Sequence, residues 1–218
     1  MIASEAEARA WLATLPEADA AALARLERLA TLLASENERQ NLVAAASLPH
    51  VWQRHIADSA QLLGHVRPEA ASPWLDLGTG AGFPGLVIAA LRPDCEVWLV
   101  ESRAMRIAWL EQAVSELALP HAKVVGGRLE QVPSRPMAVI SARAFAPLER
   151  LLTLSARFST ADTLWLLPKG RSARDEVNRL SGWRHLFHVE QSLTDPEAGI
   201  VVGTMGGKEP PARKGRKA

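Results

Sequence analysis

The chain has 218 residues, of which 48% are hydrophobic and 22% charged, with a net charge of +1. This is an ordinary globular mix, which excludes a collagenous or wholly disordered chain, and the length suits one core domain with an extension. The longest apolar runs, such as 86–91, fall far short of the roughly 18 residues a membrane span needs. Cys95 is the only cysteine, which excludes an internal disulfide and a Cys-based zinc site.

In chain order, residues 1–66 read as a helical region. Ser4 and Glu7 have capping-box spacing ahead of Trp11 and Leu12. Leu23, Leu26, Leu29 and Leu33 then repeat at helical spacing. Ser47 and Pro49 predict the start of a third helix and Gly64 its end. Met1–Arg9 holds two glutamates and no apolar stretch, so no signal peptide is expected and the cytoplasm is the expected compartment.

Residues 67–206 change pattern. Strands are predicted at 74–77, 97–100, 123–125, 138–141, 163–167, 185–189 and 200–203. Helical stretches at 85–91, 103–117 and 147–158, with a turn near Leu129, separate the first five, which predicts a parallel sheet covered on both faces. Only 190–199 joins the last two strands, too little for a helical crossover, so an antiparallel hairpin is expected. Residues 207–218 are rich in Gly, Pro and charge and read as a disordered basic tail.

The first strand, Trp74-Leu75-Asp76-Leu77, runs into Gly78-Thr79-Gly80-Ala81-Gly82-Phe83-Pro84-Gly85. Glycine allows positive φ and close approach of backbone to a ligand. Gly80, Gly82 and Gly85 match the dinucleotide fingerprint, with Glu101 about 20 residues on as a ribose acid. The rival pattern is Asp76 followed by Gly78, Gly80 and Gly82, which resembles the first motif of class I S-adenosylmethionine-dependent methyltransferases; Glu101 suits the ribose in either reading. An acid two residues before the first glycine, a proline where a pyrophosphate needs N–H donors, and the terminal antiparallel hairpin all favour the methyltransferase. An NAD-dependent oxidoreductase on a Rossmann sheet is the alternative.

A narrower set of residues follows in order: Asn41-Leu42, Arg54-His55-Ile56-Ala57-Asp58-Ser59, Gly82-Phe83-Pro84-Gly85, Arg92-Pro93, Ser141 with Arg143-Ala144-Phe145-Ala146, and Lys169-Gly170. Together they resemble the glucose-inhibited division protein B family of bacterial 16S rRNA guanine-N7 methyltransferases, over roughly residues 36–205. The resemblance implies an α/β fold of class I, with a Rossmann-like seven-stranded sheet whose last strand is antiparallel, and an N-terminal helical extension. It implies S-adenosyl-L-methionine as cofactor, 16S rRNA or the small ribosomal subunit as partner, and a monomer that needs neither metal nor membrane. By motif, the cofactor contacts are Gly78 and Phe83 in the loop, Leu129 and Glu130 after the third strand, and Arg143 after the fourth. Asp76, Gly80, Gly82 and Glu101 join them from the loop reading. A Trp and a Thr common around Asn41 in the family are missing, and Glu101 stands where Asp is commoner. A non-catalytic ribosome-assembly factor that keeps the cofactor pocket is a further reading.

Guanine N7 offers a lone pair and carries no proton, so in-line transfer to it needs no general base. No catalytic residue is therefore assigned from sequence; Arg143, Phe145 and Lys169 are candidates for positioning the substrate. Phe145 is suited to stacking on a base or to core packing, Arg143 to a phosphate or guanine edge or to a surface salt bridge, and Lys169 to an RNA phosphate or to solvent. His55 and Asp58, three apart on one helical face, fit either a substrate contact or a pair locking the helical region to the sheet. Residues 1–40 carry four basic and seven acidic groups, 41–207 sixteen of each, and 208–218 five basic and one acidic. RNA contact is therefore expected from a few placed arginines and from the tail.

Overall fold

A computed structural model describes residues 1–70 and 72–208. Helix α1, Glu5–Leu12, opens on the predicted cap: Ser4 Oγ accepts from the Glu7 N–H at 3.2 Å, while the Glu7 carboxylate accepts from the Ala3 N–H at 2.8 Å. Helix α2, Ala20–Asn37, starts on Asp19, which accepts from the Ala22 N–H at 2.7 Å. Leu26, Leu29 and Leu33 are fully buried and share one hydrophobic core with Leu86, Ile88 and Leu99, so the helical region is packed onto the sheet domain.

The predicted third helix is not regular. It runs 3-10 over Ala45–His50, π over Trp52–Ala57, α over Asp58–Ala60 (α3) and 3-10 again over Gln61–His65. Pro49 lacks an N–H and loosens its start. The carboxylate of Glu5 accepts from the N–H groups of Trp52 (3.1 Å) and Gln53 (2.8 Å), anchoring the π stretch from outside. π-helical turns collect at functional sites, and this one carries His55.

The strands are β1 Trp74–Leu77, β2 Val97–Glu101, β3 Ala122–Gly126, β4 Val139–Ser141, β5 Leu164–Lys169, β6 Trp183–His185, β7 His188–Gln191, β8 Gly199–Gly203 and β9 Met205–Lys208. Seven make the main sheet in the order β3-β2-β1-β4-β5-β8-β7. β1 to β5 are parallel and β8 is antiparallel to both its neighbours. β1, β2, β4 and β8 are buried along their whole length, with helices α4 Gly85–Leu91, α5 Ala104–Glu116, α6 Leu148–Ser155 and α7 Ala173–Arg179 in the connections. Strand order reverses between β1 and β4, and ligands bind at the carboxyl ends of strands at such a switch point.

Three features depart from the sequence reading. The strand predicted over 185–189 is two strands: β6 pairs with β9 in a small second sheet, and β7 joins the main one. Gly203, at φ +149°, lets the chain pass so close that a Cβ there would lie 2.4 Å from the Leu186 carbonyl oxygen. Gly207 and Lys208 of the predicted tail belong to β9; the rest of it, 209–218, lies outside the described residues. Helix α7 was not predicted, since its one buried residue, Ala173, gives no apolar period to read.

Candidate active site

The site grows from the end of β1. Gly78, Gly80 and Gly82 sit at φ +61°, +58° and +102°, a region that penalises any side chain. Asp76 is fully buried and holds this turn from behind. Its carboxylate accepts from the Thr79 hydroxyl, from Ser141 Oγ at 2.8 Å and from the Gly85 N–H at 3.0 Å. Ser141 in turn accepts from the Trp74 indole at 2.8 Å, and the Trp109 indole donates to the Ala81 carbonyl at 3.0 Å. Burial pushes the Asp76 carboxyl up to about 6, against the pull of these donors. The Gly85 N–H, which a pyrophosphate would need at the start of α4, is already taken by a carboxylate, so the dinucleotide reading fails here.

Glu101 ends β2 and is 6% exposed. Its Oε1 accepts from the N–H groups of Ser102 (2.7 Å) and Arg103 (2.9 Å), and its Oε2 from Gly80 at 3.1 Å. It lines a cleft of about 560 Å³ together with Gly78, Leu129, Glu130 and Phe145. A Cβ on Gly78 would lie 2.4 Å from the Phe145 ring, so only glycine lets that ring pack against the turn. These residues fit S-adenosylmethionine: a carboxylate for ribose hydroxyls, an apolar Leu129 for the adenine face, and Glu130 at the rim. Asp76, Gly82 and Phe83 stand behind this wall rather than in it. They shape the loop: Phe83 is 2% exposed, and a Cβ on Gly82 would strike Leu86 at 2.3 Å.

A second cavity, of about 700 Å³, lies on the other side of Ala144–Pro147, which lines both. Arg143 lines this second cavity and not the first. Its Nη1 donates to the Arg54 carbonyl (3.4 Å), His55 Nδ1 (3.3 Å) and Asp58 Oδ2 (3.4 Å), and its guanidinium lies 5.2 Å from the Phe83 ring centre. His55 stacks on the other side of the same cluster, 5.1 Å from Phe83 at an interplanar angle of 22°. The two sequence readings of His55 and Asp58 merge: the pair locks the helical region to the post-β4 loop and also faces the second cavity.

The tautomer of His55 follows from its partners. Arg143 can only donate, so Nδ1 accepts; the ring proton is then on Nε2, 2.9 Å from Ser47 Oγ, whose own proton goes to the Ala44 carbonyl at 2.7 Å. Burial, with help from Arg143 and Arg54, holds the imidazole down to about 3. The unfolded chain, at the ordinary 6.5, takes up the proton first as pH falls. The stability this supplies is full above about 6.5 and is lost toward 3. Between pH 7 and 5 the loss is about 2 kcal/mol. In His55→Gln, whose amide replaces both ring contacts without titrating, denaturant unfolding at the two pH values should show that loss removed; an unchanged pH dependence refutes a neutral buried imidazole.

Lys169 lines the second cavity but is largely enclosed: its side chain is 9% exposed, and Nζ donates to the Ala146 carbonyl at 2.8 Å and to Glu176 at 2.9 Å. Glu176 also accepts from the Leu148 N–H at 2.7 Å and from Ser172 Oγ at 2.7 Å. Lys169 therefore pins the Ala144–Pro147 wall. Lys169→Met should lower kcat about tenfold, through displacement of the wall, while titration calorimetry finds S-adenosylmethionine affinity retained; unchanged kcat overturns the pinning role. Sequence reasoning took Ser47 only as a helix start, and missed Glu176 and Thr194, because nothing local marks these residues as orienting the site. Asn37 Oδ1 accepts from the Leu42 and Val43 N–H groups, both at 2.9 Å, so the Asn37 side chain closes the turn after α2.

The doubly covered parallel sheet, its antiparallel β8, the glycine turn and the Glu101 cleft define a class I S-adenosylmethionine-dependent methyltransferase. The fold is shared with an S-adenosylmethionine-dependent methyltransferase from Aquifex aeolicus (TM-score 0.54, 16% identity, 72% of this chain and 93% of that one). Residues 22–194 match the family model GidB, rRNA small subunit methyltransferase G. The chain is 57% identical over 96% of its length to the "Ribosomal RNA small subunit methyltransferase G" of Novosphingobium aromaticivorans, covering 92% of that protein. It is 59% identical over 93% of its length to the protein of the same name from Erythrobacter litoralis, covering 97%. The chain belongs to the GidB family of small-subunit rRNA methyltransferases. Among the described residues no helix is long and apolar enough to cross a membrane, and no group of three metal-ligating side chains occurs.

Proposed function

We propose that the chain transfers a methyl group to N7 of one guanine in 16S rRNA, in the cytoplasm, as a monomer acting on the small ribosomal subunit or its RNA. In this reading residues 67–206 carry the transfer, and the 1–66 region closes the second cavity through Arg54, His55 and Asp58. The observation that carries it is the shared border: Ala144–Pro147 lines both cavities, so a base in the second cavity, beside Arg143, adjoins the cofactor cleft. S-adenosylmethionine supplies a methyl on a sulfonium, an electrophile that a bare ring nitrogen can attack. The protein's part is orientation, which is worth roughly 7–11 kcal/mol when reacting groups are held in near-attack geometry. The neighbouring groups agree with chemistry that moves no proton: His55 is neutral with its lone pair on Arg143, and Asp58 Oδ1 accepts from Gln61 (2.9 Å) and Thr194 (2.8 Å). The test is borohydride–aniline cleavage of 16S rRNA from a strain deleted for the gene. Loss of one N7-methylguanine, restored by the intact gene, supports the reading; unchanged modification refutes it and leaves a non-catalytic assembly role.

A further inference from the structure

Most arginines among the described residues meet carboxylates or carbonyls, such as Arg28 with Glu116, Arg92 with Glu17, Arg135 with Glu96, and Arg184 with the Gly206 carbonyl. Among the described residues, the side chains of Arg54, Arg67, Arg103, Arg128, Arg150 and Arg174 make neither an ion pair nor a hydrogen bond, and all six are exposed. Four of these line the two cavities. Arg103, Arg128 and Arg150 stand round the cofactor cleft, and Arg54 stands at the second cavity. They come from separate elements: Arg103 is the N-cap of α5, Arg128 follows β3, and Arg150 lies in α6.

This placement is costly for the protein alone. A cation at Arg103 opposes the positive end of the α5 dipole, with Arg106 one turn further on. Nor does it serve the cofactor. S-adenosylmethionine carries a carboxylate, an ammonium and a sulfonium, a net charge of +1, and the acids of that cleft are Glu101 and, at its rim, Glu130. Three unpaired guanidiniums round that cleft repel a cationic ligand and attract a polyanion.

Resting on the rRNA substrate proposed above, we propose that Arg103, Arg128 and Arg150 hold the RNA backbone across the mouth of the cofactor cleft, flanking the nucleotide whose base enters the second cavity beside Arg54 and Arg143. The near-neutral body thus binds RNA through a few unpaired arginines at the site itself.

The test is filter binding of an unmethylated 16S rRNA transcript over a range of salt concentration. Each phosphate contact to single-stranded nucleic acid contributes about 0.7 to the log–log salt slope, so the Arg103→Ala, Arg128→Ala, Arg150→Ala triple variant should show a slope shallower by about two. Its KM for RNA should rise while its affinity for S-adenosylmethionine is retained or increased. The corresponding triple lysine variant should keep the wild-type slope, which separates lost charge from lost folding. A triple alanine variant of Arg171, Arg174 and Arg179, around α7, should also keep it. A wild-type slope in the cleft variant, or an equal drop in the α7 variant, overturns the proposal. A wild-type enzyme that methylates no rRNA defeats the functional reading instead.

Discussion

Replacing Arg143 by alanine is expected to lower kcat for methyl transfer by about a hundredfold or more, the scale on which small misplacements act in orientation-driven catalysis. The side chain is held by three long contacts, all through Nη1 and all at 3.3–3.4 Å. Its Nη2 and Nε make no hydrogen bond among the described residues, and the side chain is 23% exposed within the second cavity. A guanidinium tethered by one nitrogen and otherwise unfilled is built to receive a partner, and its planar fork matches the O6/N7 edge of guanine or a phosphate. The fold should survive. Asp58 keeps Gln61 and Thr194, and His55 keeps Ser47 and its stack on Phe83. The loss of stability should be about 1 kcal/mol, a shift of roughly 2–4 °C in melting temperature for a chain of this size. Single-turnover transfer with RNA and S-adenosylmethionine both saturating is the measurement. Arg143→Lys keeps the charge without the fork and should fall between. Near wild-type transfer by the alanine variant removes Arg143 from the substrate site.

The parts of this site that could be read from the sequence are those set by local chemistry at fixed offsets. Asp76, three alternating glycines and Glu101 lie within 26 residues, and each strand–loop–helix unit reports its own geometry. β1 and β2 were legible because both faces are covered and, apart from Asp76 and Glu101, their residues are apolar. What the sequence hid is tertiary. Arg143 meets His55 across 88 positions, and Thr194 meets Asp58 across 136. The π stretch at 52–57 has no local signature, since its geometry is fixed by Glu5 and by the Ser47–His55 contact. Lys169 looked like an exposed cation after a strand; only the fold shows that the Ala146 carbonyl and Glu176 receive it. β6 and β9 escaped notice because each gains a partner only once the other is in place. Net charge says little in the same way, since a body that balances to zero still keeps four unpaired arginines at the two cavities.

Glu101→Gln is expected to weaken S-adenosylmethionine binding by about 10- to 100-fold, or roughly 1.5–3 kcal/mol, the worth of a hydrogen bond to a charged acceptor. The native carboxylate accepts from three backbone donors on both oxygens, Ser102 and Arg103 on Oε1 and Gly80 on Oε2, and Oε2 keeps capacity for a ribose hydroxyl. An amide has only one acceptor oxygen. If that oxygen faces Ser102 and Arg103, the NH2 points at the Gly80 N–H, donor against donor, and pushes the glycine turn from its place under the ligand. If it faces Gly80, two N–H groups at the start of α5 lose their acceptor. Either way a charged ribose acceptor becomes a neutral one with fewer lone pairs. The defect should lie in binding: kcat at saturating cofactor should change far less than Kd, because Glu101 stands at the end of β2, away from the wall between the cavities. Titration calorimetry with S-adenosylmethionine, paired with kcat on RNA, separates the two. A Kd within a factor of two of wild type excludes Glu101 as the ribose acid and returns the glycine turn to a purely structural role.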